Sequence, residues 1–271
     1  MSDILNSVIL GIVEGITEFL PVSSTGHLIV TQELLQFKGS DTFEIVIQLG
    51  GVLAVLWFYF QTLWQQARQV KDDAEVRRFW MGVILAFLPA AFVGLALHSY
   101  ITHYLFNAVT VAVSLIVGGM VMWWIEGRPQ PAVATTKLEH VTPKQALTIG
   151  LAQLFALIPG VSRSASTIMG GMLTGLDRPT ATGFSFFLSI PTLGAASLYS
   201  LMKDLDGVSD HGLLNISIGL FTSFIVSLLA IGWLLRYVSK HSFRGFAVYR
   251  ILVGIAILAL STTGMLQLGA A

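Results

Sequence analysis

The stretch Gly11–Leu28, GIVEGITEFLPVSSTGHL, decides how the rest of the chain is read. It begins as an apolar helical run that carries Glu14 and Glu18, one helical turn apart and therefore on one face. Pro21 interrupts it, and Val22, Ser23, Ser24, Thr25 and Gly26 lead to His27, after which the sequence is apolar again. Ionisable groups inside an apolar segment are costly and mark function by default. The apolar run from Ile4 to Leu20 falls short of the roughly 20 residues of a full span, and the one from His27 to Leu35 is shorter still. Together they predict a helix–break–helix hairpin, residues 4–35, that enters and leaves on one side. Non-helical backbone at membrane depth is tolerated only where protein buries it or a wet cavity receives it.

Working outward, the chain is an all-α, polytopic membrane protein. Of its 271 residues 54% are hydrophobic and 11% charged, against about 25% charged in soluble domains, and the mean hydropathy is +0.76. A net charge of zero gives no argument for a nucleic-acid partner. The absence of cysteine excludes disulfides, thiol catalysis and thiolate metal sites. No cleaved signal peptide is expected at the start. Three runs long enough to span follow the hairpin: Phe43–Trp64, Phe79–Leu97 and Phe106–Ile125. A second short run, Gln145–Leu157, breaks at Pro159-Gly160 and resumes through Val161–Thr167 into Ile168–Leu176, a second hairpin over 145–176. Phe184–Met202, Leu213–Leu235 and Phe246–Leu266 then close the chain.

The hairpins align without a gap at an offset of 139: Gly11 with Gly150, Glu14 with Gln153, Ser23 with Ser162, Ser24 with Arg163 and Thr25 with Ser164. One re-entrant hairpin plus three transmembrane helices, repeated in inverted orientation, is the expected architecture. Repeat one covers 1–127, a cytoplasmic linker 128–143, and repeat two 144–271. Arg68, Lys71, Arg77 and Arg78, then Arg128, Lys137 and Lys144, then Arg236, Lys240, Arg244 and Arg250 fall on one side, which the positive-inside rule makes cytoplasmic. The opposite loops hold only Lys38 and Lys203, with Asp204, Asp206 and Asp210. The first hairpin then opens outward and the second inward, and their tips are expected to bring Glu14, Glu18, His27 and Arg163 together.

That set has a chemistry. Two buried carboxylates a turn apart share a proton, pair with Arg163, or hold a hard divalent cation such as Mg²⁺ or Ca²⁺. Ser23, Ser24, Thr25 and Gly26 precede a new helix, where they either cap it or cradle an anion at its positive end. His27 suits a nucleophile, a general base or a ligand as well as an ordinary hydrogen-bonded core histidine. Arg163, with hydroxyls at Ser162, Ser164, Ser166 and Thr167, offers a guanidinium that binds phosphate bidentately; the plainer alternative is a salt bridge to Glu14 or Glu18. Acids, hydroxyl-rich helix starts and an arginine converge on a phosphorylated substrate. Within a membrane, that substrate is a lipid phosphate.

At these residues the chain resembles the bacterial undecaprenyl pyrophosphate phosphatase family, also called bacitracin-resistance proteins. The resemblance rests on EGITEFLPVSSTGH (Glu14–His27), FEIVIQLGGVLAV (Phe43–Val55), PGVSRSAST (Pro159–Thr167) and FSFFLSIP (Phe184–Pro191). Ala165 stands where the family's motif often has glycine. The resemblance implies hydrolysis of undecaprenyl pyrophosphate, recycling the lipid carrier of peptidoglycan synthesis, in the bacterial cytoplasmic membrane with a site open to the periplasm. It assigns Glu14 and Glu18 to a divalent cation or to activating the nucleophile. It marks His27 as essential, Ser24 as a nucleophile candidate and Arg163 as pyrophosphate-binding, with Ser23, Thr25, Ser162, Ser164 and Thr167 around the phosphates. A homodimer is compatible with it. The competing reading is an ion-coupled transporter or polyprenyl-phosphate flippase of the same inverted-repeat fold; the concentration of acids, nucleophile and arginine in two unlike hairpins argues for the hydrolase.

Overall fold

A computed structural model describes residues 3–37, 41–129, 135–203 and 213–262, and among these residues the architecture is helical, without strands. The first hairpin is α1 (Asp3–Thr17) and α2 (Ser24–Leu35). It is followed by α3 (Asp41–Phe58), α4 (Phe60–Gln69), α5 (Ala74–Leu105) and α6 (Ala108–Glu126). The second hairpin is α7 (Pro143–Gln153), a 3₁₀ turn (Leu154–Leu157) and α8 (Arg163–Leu173), followed by α9 (Arg178–Lys203), α10 (Leu213–Val238) and α11 (Arg244–Thr262). Five helices are long and apolar enough to cross a membrane, and α3 with α4 makes a sixth if a bent pair is one span. Lys38, Asp204, Asp206 and Asp210 lie outside the described residues.

The expected span Phe43–Trp64 needs correction. It bends by 67° where α3 gives way to α4. From Leu49 to Phe58 the sequence is continuously apolar, whereas α4 sets Phe60 and Trp64 against Gln61, Gln65 and Arg68, the composition of a helix that lies in an interface rather than across it. The span around Pro89 runs longer than its apolar run, from an Asp73 cap that accepts from the Glu75 and Val76 amides to Leu105.

The helices pack crosswise. α1 lies on α10 and α7 on α5; α10 also packs on α3 and α5 on α9; α3 meets α9 and α6 meets α11. Gly11 sits against the carbonyl of Gly219 and its aligned Gly150 against that of Ala86. With lipid outside, such close approach of small residues replaces the hydrophobic effect as the driver of helix association. Between the hairpins lies an aromatic core in which Phe19 meets Phe186 edge-on at 5.3 Å and Phe79 meets Phe187 at 5.1 Å; each such pair adds about 0.5–1.5 kcal/mol beyond burial. Outward, Trp57, Phe60, Phe92, Phe221 and Leu229 are exposed, as a lipid-facing surface requires. At one end Glu126 gathers three elements. It accepts from Arg178 at 2.9 and 2.6 Å and from the Phe243 amide at 2.8 Å.

Candidate functional site

Both hairpins break in the same way. Pro21 cannot continue α1, and Pro159-Gly160 ends the 3₁₀ turn after α7. Ser23 and Ser162, aligned by the offset of 139, cap α2 and α8 and share an uncommon backbone, φ 75° and φ 77°. A non-glycine residue at such angles is strained and held there by its surroundings. Each hydroxyl accepts from an amide of its own first turn: Ser23 from Gly26 at 3.4 Å, Ser162 from Ala165 at 3.2 Å. Gly160, at φ 91°, presses against α6, where a Cβ would lie 2.5 Å from the Val111 carbonyl.

The tips meet. Glu18 accepts from Ser24 Oγ at 2.6 Å through one oxygen, and from Arg163 Nε and NH2 at 3.3 and 3.1 Å through the other. The ion pair joins residues 145 apart. It is therefore the structure's own partner for Arg163, the salt bridge named above as the plainer alternative. Arg163 also donates to the carbonyl and hydroxyl of Ser185, at 3.1 and 3.4 Å, and lies over the Phe19 ring. Thr167 Oγ1 is 2.6 Å from Ser185 Oγ, and Ser164 Oγ donates to the Leu20 carbonyl at 3.0 Å. Ser164 and Thr167 are both fully buried. Ser162 and Ser164 share a hydrogen bond of 3.0 Å. Thr25, in the first turn of α2, is half-buried.

Glu14 is 0% exposed, and among the described residues no donor reaches either carboxylate oxygen. Glu18, Glu44 and Arg163 are the charged groups that act on it. Its aligned counterpart Gln153 accepts from Thr192 Oγ1 at 3.3 Å, and its Nε2 has no partner among the described residues. His27 is bonded at both nitrogens. Nδ1 is 2.7 Å from the Ser23 carbonyl, which only accepts, so Nδ1 carries the proton. In the neutral ring Nε2 therefore accepts from Tyr249 Oη at 2.8 Å, and the two rings stack within 6° of parallel.

Three residues escaped the sequence reading: Ser185, Tyr249 and Arg250. Arg250, expected with Arg236, Lys240 and Arg244 in a cytoplasmic loop, is instead a helix residue. It lies six residues into α11, about 9 Å along the helix axis, and is fully buried. Its guanidinium donates to the carbonyls of Pro21 and Gly160, each at 3.1 Å, and of Ser114 at 3.4 Å. The available signal was its setting in the apolar run VYRILVG.

A buried cation–carboxylate–hydroxyl array beneath two helix N-termini is suited to anion binding and to charge neutralisation in phosphoryl transfer. The family model described as "Bacitracin resistance protein BacA" matches residues 7–256. The chain belongs to this family. It is 51% identical over 272 residues, 98% of each chain, to an undecaprenyl-diphosphatase of Deinococcus radiodurans. It is 48% identical to one of Methylobacillus flagellatus, over 94% of this chain and 97% of that one. An undecaprenyl-diphosphatase 1 of Chromobacterium violaceum is 46% identical over 97% and 98%. The span matched by the family includes both hairpin breaks and reaches past Tyr249 and Arg250.

Proposed function

We propose that this chain is an integral membrane phosphatase that hydrolyses undecaprenyl diphosphate to undecaprenyl phosphate and inorganic phosphate. The observation that carries the reading is the contact of Arg163 with the Glu18–Ser24 pair across the two breaks, in a chain about half identical to relatives of that name. The diphosphate competes with Glu18 for the guanidinium, which suits phosphate as well as carboxylate. Glu18, released from Arg163, accepts the Ser24 proton. Ser24 Oγ then attacks the terminal phosphorus, the bridging P–O bond breaks, and undecaprenyl phosphate leaves; water later frees the phosphate from the serine. Thr25 and the amides at the starts of α2 and α8 hold phosphate oxygens. Ser164 and Thr167, whose hydroxyls already bind protein, support Leu20 and Ser185 rather than the ligand. His27, fixed by Ser23 and Tyr249, handles protons beside Ser24. The transporter reading shares the inverted repeat but is not favoured, since the relatives are named undecaprenyl-diphosphatase.

A divalent cation, Mg²⁺ or Ca²⁺, fits the donor set. Glu14 is a buried carboxylate without a donor, and carboxylates plus substrate phosphates are how such ions are commonly held. Glu14 with Glu18 would hold it, and it would neutralise charge on the diphosphate.

The inverted repeat, 1–127 and 144–271 about the linker 128–143, is part of this proposal. The twin backbone angles at Ser23 and Ser162 support it, as does the exchange by which each hairpin packs on the middle span of the other half. The clustering of Arg and Lys on one side supports an orientation with that side cytoplasmic, and a site open outward in the bacterial cytoplasmic membrane is part of the same proposal.

The test is phosphate release from undecaprenyl or farnesyl diphosphate by purified protein in detergent, with and without EDTA. Release that EDTA abolishes and Mg²⁺ or Ca²⁺ restores is expected. Release indifferent to EDTA would turn Glu14 into a proton-handling group; no release from folded protein would sink the phosphatase.

A further inference from the structure

We propose that Arg250 is a positioning residue that ties the two hairpin breaks together from beneath and keeps the site in shape when substrate draws Arg163 from Glu18. The last clause rests on the phosphatase reading; the tie itself does not. Among the described residues, three hydrogen-bonded links cross between the tips: Arg163–Glu18, Ser164–Leu20 and Arg250. A phosphate competes directly with the first. The second is a single neutral hydrogen bond. Arg250 alone makes charge-assisted bonds to both breaks, and its two acceptors, the Pro21 and Gly160 carbonyls, are positions aligned by the offset of 139.

The guanidinium fork spans the two carbonyls because its donors diverge in a fixed plane, which an ammonium on a shorter reach does not reproduce. A third bond, to Ser114, anchors it on α6. Gly118 makes room for it, since a Cβ there would collide with NH2. Among the described residues no carboxylate lies within ion-pair distance of Arg250. A buried cation held only by carbonyl dipoles leaves its charge uncompensated, directly behind two helix starts that face an anionic substrate.

The experiment uses the cysteine-free chain. Spin labels are placed at Ile16→Cys and Phe155→Cys, exposed positions on the two hairpins, with Arg250 kept or changed, and kcat is measured on the unlabelled proteins. Arg250→Met is expected to broaden the label-to-label distance distribution and lower kcat at least tenfold, with helix content and gel-filtration profile retained. Arg250→Lys should recover part of both. Gly118→Ala, which keeps the arginine but displaces it, should move both readouts in the same direction, several-fold in kcat. A folded Arg250→Met protein with an unbroadened distribution and kcat within twofold of wild type would overturn the tie. If that variant does not fold, Gly118→Ala decides by the same criteria. The distances are read without turnover, so an inactive wild type would remove the phosphatase while the tie is still judged.

Discussion

The two hairpins share a backbone and divide a chemistry. At the break both have a capping serine at positive φ, both start a new helix there, and both offer a carbonyl to Arg250. The side chains differ where it matters. The first hairpin has Glu14 and Ser24 where the second has Gln153 and Arg163, and only the first has a histidine at the helix start. One therefore carries the carboxylates and the imidazole, and the other the guanidinium. The lesson is that two hairpins with the same backbone break need only a few side-chain differences to place opposite charges face to face.

The largest test of this division is Arg163→Ala. It should reduce phosphate release by about a hundred- to a thousandfold, the scale of removing a charge-stabilising donor. It should also lower stability by about 3–5 kcal/mol, because Glu18 is left buried and unpaired. Arg163→Lys should restore little, lacking the fork. Near-normal release from Arg163→Ala would break the comparison. Next is the break itself. Gly160→Ala must fit a Cβ at φ 91° against the Val111 carbonyl, and thermal unfolding should report a loss of about 2–3 kcal/mol; the aligned Pro21→Ala should cost less than half of that.

Making the first hairpin resemble the second gives a smaller effect of opposite sign. Glu14→Gln removes an unpartnered buried carboxylate, so stability should rise by about 1–2 kcal/mol while the response of phosphate release to EDTA disappears. A Glu14→Gln protein that still needs its cation would move the ion elsewhere. Smallest of all, Ser23→Gly and Ser162→Gly relieve positive φ and lose a cap; these terms oppose, and each variant should stay within about 1 kcal/mol of wild type in unfolding experiments. Unequal shifts would show that the breaks are less alike than their dihedral angles.

The spans were legible because hydropathy over twenty residues is a local property, and the breaks because proline and glycine announce them. Glu14, Glu18 and Arg163 stood out as charges in apolar runs, and their segments do converge. The bend at Tyr59 hid inside an apolar stretch whose change of pattern begins only at Phe60. Arg250 was misread because basic residues near a span end are ordinarily loop anchors, and nothing nearby in sequence distinguishes an arginine about 9 Å inside a helix. Ser185 and Tyr249 matter through partners 22 and 222 residues away, and no local pattern encodes such a meeting.

The bond from Arg250 to Pro21 spans 229 residues, and this sets an order of events during biogenesis. At about 5–20 residues per second, the first hairpin is made roughly 10–50 s before the helix that secures it. Until α11 inserts, the turn at Ser23 lacks this brace, although the chain already carries every acid and hydroxyl of the site. By the proposed tie, the two breaks stay unjoined at these carbonyls until the last helix of the chain has been made.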